Sequence, residues 1–224
     1  MRYARRHFLA TAGLGLAGAL VAPAAAAEMP HAAAHSLKEL LAGNDRFVAD
    51  RAICPPMTAR RLELAEGQHP FAIVVSCSDS RVPVETVFDQ QPGNIFGVRV
   101  AGNFVDEHGL GSIEYAVAAL GSGLILVLGH TACGAIKATV DYVKNGTTQP
   151  DHIQSLVAAL APAARESKNG SGDWVTRATE RNVHDTIASL SARSPIVANA
   201  VKRGTLAIAG GIYDLHSGRV TTIA

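Results

Sequence analysis

Aromatic side chains are scarce in this 224-residue chain, and neither sign of charge is in excess. Phe, Tyr and Trp make up 5% of it, and 20 Lys and Arg face 19 Asp and Glu. That balance offers no basic surface for phosphates and argues against a nucleic-acid partner. Internal repeats and low-complexity tracts are missing after the N-terminal segment, which excludes solenoids and arrays. Cysteines number only three, Cys54, Cys77 and Cys133. An odd count argues against a pure disulfide framework. The C-x-x-C pair of a dithiol redox protein is absent, and so is a suitably spaced fourth cysteine that would close a structural zinc site. What remains is 48% hydrophobic, enough for the core of one α/β domain.

The N-terminal apolar stretch, Phe8 to Val21, is too short and too rich in Gly and Ala for a membrane span. It follows an arginine-rich start and runs into small residues, with Ala25 and Ala27 fitting an A-x-A cleavage site. Residues 1–27 therefore read as a removed signal peptide. Arg5-Arg6-His7-Phe8-Leu9 resembles the twin-arginine export signal, whose pathway moves proteins already folded, often with metal bound. The expected location is the periplasm. Loss of Arg2, Arg5 and Arg6 leaves 17 basic against 19 acidic side chains, a net charge of −2. Such a surface draws neither membrane nor nucleic acid.

Beyond the signal, Leu37, Leu40, Leu41, Phe47 and Val48 recur at helical spacing from His35 to about Asp50, with Gly43 as a weak point. Cys54-Pro55-Pro56 breaks this segment, and a short helix follows from Thr58 to about Ala65. Residues 28–66 are thus expected to form an N-terminal helical arm, and 67–224 an α/β domain. Short β-branched or apolar runs predict strands at 71–76, 95–100 and 124–129. Residues 111–120 read as a helix with Ser112 as N-cap candidate, and 132–146 as a helix closed by Gly146. Residues 156–201 read as mainly helical, broken at 169–172 and at Ser194-Pro195. Two closing strands are joined by a turn at 216–218. Strands separated by helices imply a mostly parallel sheet flanked by helices.

In such sheets ligands gather at the carboxyl ends of the strands. Two of the predicted strands end in chemically rich residues: the first runs into Cys77, the third into His130. His130 and Cys133 stand three apart, a spacing expected to put both on one face of a helix start. Two thiolates and one imidazole suit zinc, and three protein ligands leave a fourth position open for catalysis. Asp79, on the same side of an extended chain as Cys77, is the other candidate for that position. Taken singly, each residue has a plainer reading: a core cysteine, a satisfied histidine, a Cys77–Cys133 disulfide, an Asp79–Arg81 ion pair. Their joint placement at two strand ends favours the metal.

C-x-D-x-R (Cys77, Asp79, Arg81) followed about fifty residues later by H-x-x-C (His130, Cys133) and Gly134 resembles the β-class carbonic anhydrases. The similarity runs from about Leu37 to the C-terminus. It implies zinc on Cys77, His130 and Cys133, with reversible hydration of CO2 to bicarbonate by zinc-bound hydroxide. It gives Asp79 and Arg81 the control of the fourth position, with Asp79 a zinc ligand only in a closed form. Gln68 and the Gly134 N–H would hold substrate oxygens, and Phe96 and Tyr115 would wall the pocket. Val100 stands where the family usually has Asn. Val74 stands where some bacterial members carry a Trp belonging to a regulatory bicarbonate site, so an open, plant-like form is expected. The resemblance also implies a homodimer or tetramer, with the 28–66 arm crossing to a partner subunit. His108 and His152 are proton-shuttle candidates by residue type alone, and Cys54 has no assigned role. The rival readings are an exported zinc-binding protein of this fold without the activity, and a thiol-redox protein using Cys77 and Cys133.

Overall fold

The computed structural model describes residues 29–53 and 57–223; the expected signal peptide and Cys54 lie outside them. The chain runs α1 (His31–Val48), α2 (Met57–Glu66), β1 (Ala72–Ser76), α3 (Val84–Val87), β2 (Ile95–Arg99), α4 (Glu107–Ala118), β3 (Leu124–His130), α5 (Gly134–Asn145), α6 (Ile153–Glu166), α7 (Trp174–Arg193), α8 (Pro195–Lys202), β4 (Ala207–Tyr213) and β5 (Val220–Ile223). One five-stranded sheet has the order β2-β1-β3-β4-β5. The first four strands pair in parallel, and β5 returns antiparallel on β4 after the predicted turn.

The period-2 alternation of β1 and β3 explains why both strands read as unbroken apolar runs. Val74, Leu124, Leu126 and Leu128 pack on one face with Leu40, Val84, Val87 and Phe88. Ile73, Val75, Ile125 and Val127 pack on the other with Ile113, Val183, Leu190 and Val197. Every residue of β1 and β3 is buried, while β2 at the edge alternates. A third, smaller cluster joins Cys77 and Cys133 to Ile136, Leu160, Ala164 and Ala178, between α5, α6 and α7. No helix among the described residues is long and apolar enough to cross a membrane.

Two expectations change. The helix before β3 starts four residues early, at Glu107, because Asp106 rather than Ser112 caps it: its carboxylate accepts the Gly109 N–H at 2.8 Å. Gly43 is also not a weak point. It is where α1 touches the carbonyl of Phe88, so closely that any Cβ would overlap it. The next residue, Asn44, is buried and bonds three backbone groups: its Nδ2 donates to Val87 O and Gly218 O, and its Oδ1 accepts from Val220 N–H. The first helix is thus bound into the core of its own chain.

This contact reverses a propensity argument. Gly→Ala in a helix interior normally gains about 1 kcal/mol. Gly43→Ala is expected instead to destabilise the protein by about 1–3 kcal/mol, the usual cost of overpacking. The urea unfolding midpoint measures it, and an unchanged or raised midpoint would contradict the packing described.

Candidate metal centre

The chain leaves β1 for β2 on one side and reaches β4 from β3 on the other. The carboxyl ends of the adjacent strands β1 and β3 therefore flank a topological switch point, where an open sheet leaves a crevice. Cys77 follows the last residue of β1, and His130 is the last residue of β3. His130 and Cys133 do not share a helical face as expected, since Cys133 is the N-cap of α5 and His130 still belongs to the strand. A turn joins them. Ala132 sits in it at φ 54°, the left-handed region, which costs a non-glycine residue about 1–2 kcal/mol. Thr131 secures the turn: its N–H donates to Tyr213 O and its Oγ1 accepts from Leu215 N–H.

The ligand atoms of Cys77, His130 and Cys133 all lie within 4.8 Å of one another, and the three residues are buried. The two sulfurs are 4.0 Å apart and not bonded. His130 Nδ1 pairs with Thr131 O at 2.9 Å, so Nδ1 carries the proton and Nε2 is the free lone pair. That Nε2 is buried without a hydrogen-bond partner. A buried acceptor left bare beside two thiols is costly unless something binds it, and the donor set fits zinc.

The surroundings favour thiolate at one sulfur already. Cys77 is drawn down by its contact with the Cys133 sulfur, with the Gly102 N–H assisting against burial. Cys133 is pushed up by that contact and by burial, opposed by the Ile136 and Ala135 N–H groups at the start of α5. Gly102 N–H reaches Cys77 Sγ at 3.2 Å, and Asn182 of α7 fixes Gly102 from behind through its carbonyl at 2.8 Å. A side chain at Gly102 would collide with Leu160, and its φ of 84° suits glycine. Gly102 and Asn182 carry no motif and escaped the sequence reading.

Asp79 and Arg81 form a two-pronged ion pair. Arg81 Nε donates to Oδ1 at 2.9 Å and Nη2 to Oδ2 at 2.7 Å, and the Arg81 N–H adds a third bond. The Arg81 guanidinium, aided by that N–H, holds the Asp79 carboxyl far below the usual carboxylate range. Asp79 Oδ2 lies 3.9 Å from His130 Nε2, so the carboxylate borders the ligand cluster while bound to arginine. Gly134 opens α5 beside Cys133, and nothing stands within 4 Å of where its Cβ would be.

The remaining expected pocket residues do not join this cluster within one chain. Gln68 is exposed and lines a surface cleft with Leu64, Glu66 and Gly93. Phe96 and Tyr115 meet each other, ring centroids 6.4 Å apart, and Tyr115 is 53% exposed. Phe96 also borders a cleft of about 360 Å³ with Arg99, Val100, Phe104 and His108. His152 is exposed at the start of α6. Val74 is fully buried in the sheet.

Helices on both faces of a parallel sheet, with two thiols and an imidazole meeting at two strand ends, define an α/β metalloprotein whose centre has three protein ligands, the number kept by catalytic zinc sites. A carbonic anhydrase family profile matches residues 72–220. The chain belongs to that family, and its structural relatives place it in the β class. Carbonic anhydrase 2 of Mycobacterium tuberculosis is 42% identical over 191 residues, 85% of this chain and 91% of that protein. The carbonic anhydrase of Mycolicibacterium smegmatis is 40% identical over 192 residues, 85% of this chain and 92% of that protein. A tetrameric β-carbonic anhydrase from Sordaria macrospora superposes with a TM-score of 0.66 at 26% identity, covering 85% of this chain and 98% of that one. The Coccomyxa β-carbonic anhydrase, in complex with acetazolamide, gives 0.64 at 27%, covering 84% and 86%.

Two buried sulfurs this close are expected to behave differently with and without metal. After chelation, diamide should take two electrons and two protons from Cys77 and Cys133 and leave a disulfide, whereas the zinc-loaded protein should resist. Peptide mapping of both forms after equal exposure checks this; equal loss of the two thiols would count against the ligand assignment.

Proposed function

We propose that this chain is an exported zinc-dependent β-class carbonic anhydrase of the open type, catalysing CO2 + H2O ⇌ HCO3⁻ + H⁺. The observation that carries the reading is the placement of Asp79. Its carboxylate is bound by Arg81 at the edge of the Cys77–His130–Cys133 cluster rather than inside it, in a chain of the carbonic anhydrase family.

Cys77, His130 and Cys133 hold the metal. Zinc, when bound, supplies a Lewis acid that lowers the pKa of a coordinated water toward about 7. The residues of the chain do the rest. Asp79 is ionised and so accepts hydrogen bonds only; it takes one from the attacking water and fixes the direction of its lone pair. Arg81 occupies both carboxylate oxygens and keeps Asp79 from serving as a ligand. The Gly134 N–H, at a helix N-terminus and beside open space, donates to a substrate oxygen that gains charge. Phe96 and Tyr115 offer apolar walls to an uncharged gas, and Gln68 a donor. Their exposure in the single chain supports a site completed by a second copy, in a dimer or tetramer, while α1 of the expected arm stays on its own sheet. Export follows from the Arg5-Arg6 segment.

Stopped-flow CO2 hydration on the mature, zinc-quantified protein is the direct test, and acetazolamide is expected to inhibit it. Asp79→Ala and Arg81→Ala should each lower kcat about 10²-fold or more, the scale of a lost charge-orienting group, while one zinc per chain remains. Full activity in both variants would remove the dyad from the mechanism. Inhibition of the wild type by bicarbonate at low pH would overturn the open form.

A separate expectation concerns export. A reporter fused after residue 27 should reach the periplasm, and Arg5→Lys with Arg6→Lys should retain it inside the cell. Undiminished export of the double variant would assign the segment to a different pathway.

A further inference from the structure

Arg99 ends β2 on the exposed edge of the sheet, opposite Ser76 in the register. Among the described residues it has no carboxylate partner within ion-pair distance. It spends its donors on backbone instead: Nε donates to Cys77 O at 3.1 Å and Nη2 to Asp79 O at 2.8 Å. A planar, always-charged fork can bridge two carbonyls two residues apart only if the chain between them keeps one conformation. Those two residues are the first thiol of the metal cluster and the carboxylate beside it.

We propose that Arg99 is a positioning residue for the reaction, setting the thiol of Cys77 and the carboxylate of Asp79 as one rigid unit. The inference rests on the carbonic anhydrase reading of the site.

The surrounding bonds make Arg99 the last fastener of a series. The parallel ladder continues past the strand ends, to Val100 after β2 and Ser78 after β1, with Val100 N–H to Ser76 O and Ser78 N–H to Val100 O. Beyond that point the backbone of β2 turns away, and the Arg99 side chain supplies the next two bonds. Gly102 N–H then grips Cys77 Sγ. Cys77 is thereby held at its carbonyl and its sulfur by one four-residue segment. Asp79 is held at its carbonyl by Arg99 together with the Val82 N–H at 2.9 Å, and at its carboxylate by Arg81. Arg81 sets where the carboxylate aims, and Arg99 sets where the residue stands. Without Arg99, the segment from Cys77 to Asp79 would keep its side-chain bonds, the Ser78–Val100 ladder bond and the Val82 N–H on Asp79 O, but lose the one group that ties the Cys77 and Asp79 carbonyls to each other. Such a loss acts on rate more than on binding, because a displacement of about 1 Å at a reacting group can cost about 10²-fold.

The test compares wild type, Arg99→Ala and Arg99→Lys, all zinc-loaded, by stopped-flow hydration, by zinc release to a chromogenic chelator and by the visible spectrum of the cobalt(II)-substituted proteins. Arg99→Ala should keep one metal per chain and a melting temperature within a few degrees of wild type. Its kcat should fall about 10–100-fold with little change in KM, zinc should leave about tenfold faster, and the cobalt bands should shift. Arg99→Lys, able to reach one carbonyl and not both, should recover only part of kcat. A kcat within twofold of wild type for Arg99→Ala would overturn the proposal. So would a loss that tracks unfolding, or bicarbonate inhibition that vanishes with the guanidinium and so assigns it to an anion. If the wild type fails to hydrate CO2, the functional reading fails first. Unchanged zinc release and cobalt bands in Arg99→Ala would then sink the positioning role independently.

Discussion

The parallel pairing of β1 with β3, Ile73 against Ile125 through Ser76 against Leu128, is the constraint on which the rest of the molecule depends. It brings the ends of two buried strands side by side, so that the residue after one and the last residue of the other meet without any local motif to join them. Both strands are sealed on two faces, by Leu40 and Phe88 on one side and by Ile113 and Leu190 on the other. A slip of one residue would exchange the faces of every buried side chain. The hydrophobic core therefore sets the position of the chemistry, and a shift between Cys77 and His130 would first have to disrupt some of the most buried residues in the chain.

Precision around the cluster comes from polar bonds to backbone, which do not depend on sequence-local spacing. Gly102 keeps its N–H on Cys77 Sγ while Asn182, 80 residues later, holds its carbonyl. Thr131 stabilises a left-handed Ala132 through two bonds to the β4 exit. Each device uses a group that the fold would in any case have to satisfy. In this way the same hydrogen bonds that close the backbone account around the cluster also place its side chains.

Much of this was legible in advance, for identifiable reasons. The strands at 72–76 and 124–130 announced themselves as apolar runs bounded by polar residues, and the rule that ligands gather at carboxyl ends made Cys77 and His130 a pair before any fold was known. Asp79 was readable because it shares a face with Cys77 at alternate positions of an extended chain, whereas the role of Arg81, which lies in a turn, came from the family resemblance. The His130–Cys133 spacing gave the right partnership for a wrong reason, since a three-residue separation can be closed by a turn as well as by a helix. Ser112 misled because Asp106 lay outside the apolar pattern that marked the helix. Gly102, Asn182 and Ala132 were illegible, for their roles rest on φ angles and on contacts between elements distant in sequence. Gln68, Phe96 and Tyr115 came from family resemblance alone, and one chain does not gather them.

Val74 carries a consequence for what β1 can accommodate. It lies in the middle of β1, fully buried, in the cluster that also holds Leu40, Phe88 and Leu126. A tryptophan there would need a space that close-packed interiors do not hold in reserve. Valine thereby fixes this level of β1 for one size of side chain. A large ring could enter only if neighbours such as Leu40, Phe88 or Leu126 gave up volume with it.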